Sequence, residues 1–141
     1  MSLLKGLCHG CFDLIHYGHI LHFREARKQC DHLIVSITSD RFAAKSPGRP
    51  IYPETHRLAI INELSCVDTV IITDFPTAVE IISELKPTYY FKGVDYSSSS
   101  DPRLNAEIQA CETVGCSVRY TSSCKYSTTD FIALCQAVKL D

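Results

Sequence analysis

The sequence predicts an α/β fold with a five-stranded parallel sheet and helices on both of its faces. Apolar runs of strand length alternate along the chain with segments whose apolar residues recur at helical spacing. A strand–helix–strand order requires crossovers that bring successive strands parallel, and right-handed crossovers cover both faces of the sheet. The segment 32–38 is apolar or β-branched along most of its length, which is typical of a strand buried on both faces. The expected architecture is therefore Rossmann-like.

The first half of the chain predicts two strands and two helices. The apolar run at 3–9 predicts the first strand. At 17–29, apolar or small residues lie on one side of a predicted helix and basic residues on the opposite side, as in an amphipathic helix. After the strand at 32–38, the segment 41–53 holds three prolines and one glycine, which is a loop composition. A helix is expected at 53–64, because proline suits the first turn of a helix.

The second half repeats the alternation. Its expected strands lie at 67–73, 88–91 and 116–121, and its expected helices at 76–85, 102–114 and 127–139. Gly115 stands where the glycine that ends a helix is usually found. With no internal repeat, the 141 residues suit a single domain that spans 1–141.

Composition narrows the class of protein. The hydrophobic fraction of 45% and the charged fraction of 21% are ordinary for a soluble globular protein, and a net charge of −2 gives no general reason to bind nucleic acid or an anionic membrane. The first residues lack the apolar core of a signal peptide, and no stretch reaches the roughly 18 apolar residues of a membrane span. Eight cysteines without a secretory signal predict reduced thiols in a cytoplasmic protein rather than a disulfide framework.

The pattern G-x-F-D-x-x-H-x-G-H occupies residues 10–19, between the first strand and the first helix. Six fixed identities arise by chance at on the order of 10⁻⁸ per start position. The unpaired N–H groups and the positive dipole end of a helix start favour anions, so this junction predicts a phosphate site. His16 and His19 are three residues apart and both can face one bound group, while Gly18 allows a close approach of the phosphates.

Zinc is an alternative explanation of the same segment. Cys8 and Cys11, followed by His16 and His19, are four possible zinc ligands. However, the two cysteines flank a strand end, the turn between the pairs is short for a zinc finger, and zinc leaves the Phe, Asp and Gly positions unexplained. We therefore favour phosphate over a protein-bound metal.

Polar segments are expected to converge at one edge of the sheet, because ligands of such folds bind beyond the carboxyl ends of the strands. The segments that fall on this edge are 10–19, 40–49, 92–96 and 126–129. Their convergence predicts a nucleotide site.

Residues 10–19 resemble the phosphate-binding motif of the nucleotidyltransferase superfamily that includes cytidylyltransferases and pantetheine-phosphate adenylyltransferase. Further segments resemble, in order, the adenylyltransferase domain of the enzymes that make ADP-heptose from heptose 1-phosphate: Gly48-Arg49-Pro50, Pro53-Glu54-x-x-Arg57, Val67-Asp68, Lys92-Gly93-x-Asp95-Tyr96 and Ser127-Thr128-Thr129. Glycerol-3-phosphate cytidylyltransferase shares the first motif and the final Ser-Thr-Thr, but it typically has arginine where this chain has Ser122. The chain departs from the heptose type at Val94 and Lys125, where glycine is usual or frequent.

The resemblance implies transfer of an adenylyl group from ATP to a sugar 1-phosphate, with release of pyrophosphate. Mg²⁺ is expected to arrive with the triphosphate rather than in a carboxylate cage. Transfer of a cytidylyl group from CTP to glycerol 3-phosphate or another small alcohol phosphate is the alternative within the class, and an inactive nucleotide sensor is the alternative outside it. Relatives are often dimers, which implies a homodimer.

The resemblance also implies roles for individual residues. His16, His19 and Lys45 are the expected catalytic residues, with Lys45 closing over the phosphates from the proline-rich loop. The expected nucleotide contacts are Gly10, Cys11, Phe12, His16, Gly18, His19, Gly93, Asp95, Ser127, Thr128 and Thr129. Lys45, Arg57 and Lys92 are expected to contact phosphate or the acceptor, although Arg57 could instead brace the loop. Plain helix capping is the alternative for Ser127–Thr129, and an ordinary solvated lysine is the alternative for Lys45.

Overall fold

Strands and helices alternate along the computed structural model, which describes residues 3–44, 46–94 and 101–122. The strands are β1 (Lys5–Gly10), β2 (His32–Thr38), β3 (Thr69–Thr73), β4 (Tyr89–Gly93) and β5 (Ser117–Thr121). The helices are α1 (Tyr17–Lys28), α2 (Asp40–Ala43), α3 (Glu54–Asn62), α4 (Val79–Leu85) and α5 (Pro102–Val114). None of these helices is long and apolar enough to cross a membrane. The helix expected at 127–139 lies outside the described residues.

All strand pairs are parallel, and the five-stranded sheet has the order β3-β2-β1-β4-β5. The α/β, Rossmann-like prediction is therefore confirmed. The chain builds outward from β1 through β2 to β3 and then crosses back to place β4 on the other side of β1. Such a reversal opens a crevice beyond the carboxyl ends of β1 and β4, where ligands of this fold class bind.

Two hydrophobic cores cover the two faces of the sheet. Alternate residues of β1 supply one core each, because successive side chains of a strand point to opposite faces. Cys8 packs with Phe23 of α1 and Ile61 of α3 on one face. Leu7 packs with Ile82 of α4 on the other face, in a core that also holds Cys111 of α5. Neither core covers the carboxyl ends of the strands, where polar groups can lie.

The segment expected to be a continuous loop at 41–53 contains the short helix α2, so this part of the prediction is wrong. Asp40 and Glu54 explain the difference, because each side chain accepts a hydrogen bond from the other's backbone N–H. The Asp40 N–H lies 3.0 Å from Glu54 Oε1, and the Glu54 N–H lies 2.8 Å from Asp40 Oδ1. Capping of this kind joins residues that are distant in sequence, and local composition does not reveal it.

Candidate active site

The turn after β1 depends on Gly10 and Phe12. Phe12 has a φ of 49°, in the left-handed region that non-glycine residues rarely adopt. Its ring folds back over the strand end, where a Cβ at Gly10 would lie 3.0 Å from Phe12 Cζ. The ring then packs edge-to-face on His19 and Phe23, with centroid separations of 5.4 and 5.1 Å. Phe12 thereby fixes the position of the first turn of α1.

His16 and His19 cap the helix that follows. His16 Nδ1 accepts a hydrogen bond from the Gly18 N–H at 3.1 Å, and His19 Nδ1 accepts one from the His16 N–H at 3.2 Å. This reciprocal pair is a capping box made by two histidines. A nitrogen that accepts a hydrogen bond carries no proton, so each neutral ring has its hydrogen on Nε2. Both Nε2–H groups are therefore donors available to a ligand.

Burial favours the neutral form of both imidazoles. Burial, with smaller contributions from His16 and His22, lowers the pKa of His19 to about 3. Burial also lowers the pKa of His16. The ring centroids of the pair are 4.0 Å apart, and the first turn of α1 has no acidic side chain to offset the positive helix end. A bound polyanion would oppose these shifts, because a nearby negative charge favours the protonated imidazole, whereas the capping bonds to Nδ1 favour the neutral ring.

His16 Nε2 is buried and has no hydrogen-bond partner among the described residues. Within the described part of the chain, it is the one buried side-chain nitrogen or oxygen without a hydrogen-bond partner. Leaving a buried polar group unpaired costs about 1–3 kcal/mol. An acceptor such as a phosphate oxygen would satisfy this atom, so the geometry agrees with an anion site at the start of α1.

The structure does not support the zinc alternative. Both histidine Nδ1 atoms are occupied by helix capping, and Cys8 is 0% exposed within the hydrophobic core. Among the described residues, no group of three or more His, Cys, Asp or Glu side chains is arranged to hold a metal ion. The described cysteines are free thiols, as the sequence predicts.

Asp13 fastens the proline-rich loop to the turn after β1. Its buried carboxylate accepts hydrogen bonds from the N–H groups of Ile51 and Tyr52 and forms an ion pair with Arg49 Nε at 2.7 Å. Burial alone would raise the pKa of Asp13, but the bonds from Ile51, Tyr52 and Arg49 outweigh it and hold that pKa below its ordinary value. With these donors on both of its oxygens, Asp13 braces the loop.

Arg57 is the largest fully buried side chain among the described residues. Its guanidinium donates hydrogen bonds to the carbonyl oxygens of Cys11, Thr38 and Tyr52 and to Asp40 Oδ1, at 2.7–3.0 Å. The sequence left two roles open for Arg57, contact with phosphate and bracing of the proline-rich loop, and this geometry favours the bracing role. The expected phosphate contact of Arg57 stays a prediction, and a direct contact would require some of these hydrogen bonds to break.

Lys92 and Gly93 end β4 beside the end of β1, so the structure brings the first and third predicted polar segments together. Lys92 Nζ lies 3.7 Å from Glu107 Oε1 and 5.4 Å from the centroid of the Tyr90 ring. The side chain of Lys92 is only 15% exposed, which places its charge close to the sheet edge. Lys45, Asp95 and the Ser127–Thr129 segment lie outside the described residues, and their expected roles stay predictions.

Sequence patterns did not indicate that His9 and Ser36 lie together at the carboxyl edge of the sheet. His9 Nδ1 lies 2.7 Å from Ser36 Oγ, across the β1–β2 pair. Both residues stand inside apolar runs and count only as strand positions in a periodicity search. Their contact depends on strand order and register.

A parallel sheet with a helix start at its switch point is typical of nucleotide-binding α/β proteins. The family model described as cytidylyltransferase-like matches residues 7–134, and the chain belongs to this family. The resemblance to the nucleotidyltransferase superfamily is thus confirmed.

The matches to curated relatives cover most of this chain but only a small part of each relative. The bifunctional protein HldE of Hyphomonas neptunium is 42% identical over 101 residues, which cover 70% of this chain and 21% of that protein. The HldE of Acidiphilium cryptum is 37% identical over 94 residues, which cover 65% of this chain and 19% of the relative. The chain therefore spans about a fifth of the length of these relatives.

Solved structures share the fold. The lipopolysaccharide core biosynthesis protein from Thermoplasma volcanium superimposes with a TM-score of 0.70 at 31% identity, over 89% of this chain and 100% of that one. A pantoate-beta-alanine ligase from Francisella tularensis has a TM-score of 0.60 at 14% identity, over 95% of this chain and 69% of that one. The second likeness bears on the fold alone.

Proposed function

We propose that this protein is an adenylyltransferase that joins ATP and a sugar 1-phosphate into an ADP-sugar of the ADP-heptose kind and releases pyrophosphate. The observation that carries the proposal is the pair of neutral, Nε2-protonated imidazoles at the start of α1, with His16 Nε2 buried and unpaired. The similarity to HldE proteins and to a lipopolysaccharide core biosynthesis protein supports a sugar phosphate as acceptor.

The proposed reaction is an in-line displacement at the α-phosphorus of ATP. An oxygen of the acceptor phosphate forms a bond to this phosphorus as the bond to the bridging oxygen of the β-phosphate breaks, and pyrophosphate leaves with that electron pair. The Nε2–H groups of His16 and His19 donate hydrogen bonds to the phosphate oxygens on which charge develops. The nucleophile is already an anion, so no general base is required.

Mg²⁺ belongs to this proposal as part of the MgATP substrate. The carboxylate nearest the turn is Asp13, and both of its oxygens are occupied by Arg49, Ile51 and Tyr52. The residues that the structure describes around the turn thus do not fit a resident metal ion. Phosphate oxygens of the nucleotide are suitable ligands for Mg²⁺, which usually retains several waters.

The anchored loop supports the role proposed for Lys45. This residue lies between α2, which is capped through Asp40 and Glu54, and Arg49, which is paired with Asp13. The flank at Arg49 is thus tied to the turn before the histidines, and the flank at α2 is tied to the start of α3. We propose that Lys45, between these two flanks in sequence, closes over the bound triphosphate. We further propose that Gly93 and Asp95 line the base or ribose pocket and that Ser127, Thr128 and Thr129 hold phosphate.

The proposal is tested by measuring pyrophosphate release with each nucleoside triphosphate against a panel of sugar 1-phosphates and polyol phosphates. We expect release with ATP and a sugar 1-phosphate. Release only with CTP and glycerol 3-phosphate would favour the second candidate, a cytidylyltransferase, which the matching family model supports. Nucleotide binding without release for any pair would contradict both and indicate a nucleotide sensor.

A further inference from the structure

Three strands place polar side chains in one row at the carboxyl end of the sheet. Leu7 is in register with Ile34 and Tyr90, and these three apolar residues pack in the core beneath α4 and α5. Two residues further along the same strands, and therefore on the same face, stand His9, Ser36 and Lys92. The side chains on this face of the three strands thus change from apolar to polar within two residues. The start of α1 lies over the opposite face, at the end of the same strand β1.

Ser36 determines which nitrogen of His9 faces a ligand. Ser36 is 0% exposed, and the contact of its Oγ with His9 Nδ1 is its one hydrogen bond among the described residues. Its buried hydroxyl hydrogen stays satisfied only if Oγ–H donates to Nδ1, and this arrangement leaves the ring hydrogen on Nε2. His9 Nε2 has no hydrogen-bond partner among the described residues, and it is not one of their fully buried unpaired atoms. It is therefore a donor at the open edge.

Lys92 supplies the charge of the row. Glu107, which is 5% exposed, positions it: one carboxylate oxygen lies 3.7 Å from Lys92 Nζ and accepts from the Tyr90 hydroxyl, and the other accepts from the Ala78 N–H. Burial, with a smaller contribution from Lys92, lowers the pKa of His9 to about 3, so the imidazole remains a neutral donor. Two donors of this kind suit an anionic oxygen and disfavour a cation.

We infer that His9 and Lys92 bind the phosphate monoester of the acceptor substrate and that Ser36 is the positioning residue for the His9 ring. The inference rests on the proposed function, which places the α-phosphate of ATP at the start of α1. The row and the capped helix approach the end of β1 from opposite faces of the sheet. An in-line displacement needs its nucleophile on the side of the α-phosphorus away from the leaving group, and two subsites on opposite faces meet this need.

The test is a titration with inorganic phosphate while the nucleotide site is saturated with α,β-methylene-ATP. Histidine-detected ¹H–¹⁵N spectra report both the tautomer of His9 and its contact with phosphate. We expect the Nε2–H tautomer, a shift of this resonance on phosphate addition, and phosphate binding weakened about 10–100-fold by His9→Gln and by Lys92→Met, as for loss of a hydrogen bond to a charged group. Ser36→Ala should change the tautomer ratio and weaken phosphate binding to a smaller extent.

His32→Gln is the matched control. His32 Nε2 lies 2.8 Å from Thr69 Oγ1, so this pair has the same chemistry as His9 and Ser36, but His32 begins β2 at the opposite edge of the sheet. We expect its phosphate affinity to equal that of the wild type. Phosphate affinity unchanged by His9→Gln and Ser36→Ala, or a wild type that binds the analogue but no phosphate, would overturn the inference alone. Failure of the wild type to bind the analogue would contradict the proposed function as well.

Discussion

The Nδ1 atom of His19 accepts a hydrogen bond from the backbone N–H of His16, 3.2 Å away, and this contact determines the tautomer of His19. Helix capping and phosphate binding thus use opposite nitrogens of the same ring. The site is assembled before any ligand arrives, and the two Nε2–H groups do not have to reorganise as charge develops in the reaction. A histidine at each position of the capping box can thus cap the helix through Nδ1 and donate to a ligand through Nε2.

Replacing His16 or His19 with alanine should lower kcat about 10²–10³-fold, because each substitution removes one donor to the developing charge. Loss of a capping side chain should also cost about 1 kcal/mol of the free energy of unfolding. Steady-state pyrophosphate release and thermal melting measure the two effects separately. Full turnover in a variant that melts earlier would show that the histidines only cap the helix.

The stability of the protein should fall as the pH is lowered below about 6.5. His19 has its pKa lowered to about 3 in the folded state, so between these values the unfolded chain binds a proton that the folded protein rejects. The stability that His19 contributes is thus fully present above the unfolded pKa and is lost as the pH falls toward the folded one.

Urea unfolding of the wild type and of His19→Gln at pH 7.5, 6.5 and 5.5 measures this effect. We expect the variant to lose less of its free energy of unfolding than the wild type over this range. His56→Gln, at an exposed position of α3, is the control and should follow the wild type. Parallel curves for the wild type and His19→Gln would contradict the assignment of a neutral, buried imidazole.

Arg57→Met should destabilise the fold by about 3 kcal/mol, because it removes the donors to the buried carbonyl oxygen of Thr38 and the part-buried one of Cys11 and unpairs Asp40. Arg41→Met is the matched control: Arg41 pairs with Asp74 at 2.9 Å, but the two side chains are 69% and 61% exposed. Such an exposed pair contributes at most about 1 kcal/mol. Equal stability losses in chemical denaturation would refute the bracing role of Arg57.

Asp13→Asn should loosen the proline-rich loop without unfolding the protein. The backbone N–H groups of Ile51 and Tyr52 donate to the carboxylate, so their hydrogen exchange should accelerate about tenfold or more when its charge is lost. The kcat/KM should fall with it, since Lys45 lies on the same loop. Asp31→Asn, at an exposed carboxylate that accepts from the Leu4 N–H, is the control for a general effect of the substitution. Unchanged exchange at Ile51 and Tyr52 would mean that Asp13 does not hold the loop.

Local patterns predicted the elements whose cause is local. The strand at His32–Thr38 has the predicted bounds, because its apolar run is bounded on both sides by polar residues. Gly115 ends α5 with a φ of 75°, as a C′ glycine does. The order of elements was sufficient for the parallel sheet, since topological rules leave few alternatives.

The features that sequence patterns missed depend on contacts between distant residues. Helix α2 is capped from Glu54, and Arg57 is buried by acceptors on several separate segments, which no window of sequence contains. His9 and Ser36 become neighbours through the β1–β2 register. The motif at 10–19 identified the anion site because its chemistry lies within ten consecutive residues.

The transfer of label from ATP tests adenylyl transfer most directly. The protein is incubated with a sugar 1-phosphate and ATP labelled with ³²P at either the α- or the γ-position, and the products are separated. Displacement at the α-phosphorus predicts that the α-label appears in the nucleotide sugar and the γ-label in pyrophosphate, and that both products are lost in His16→Ala. Label from the γ-position in the sugar product, or equal transfer by His16→Ala, would contradict the proposed reaction at the histidine-capped helix.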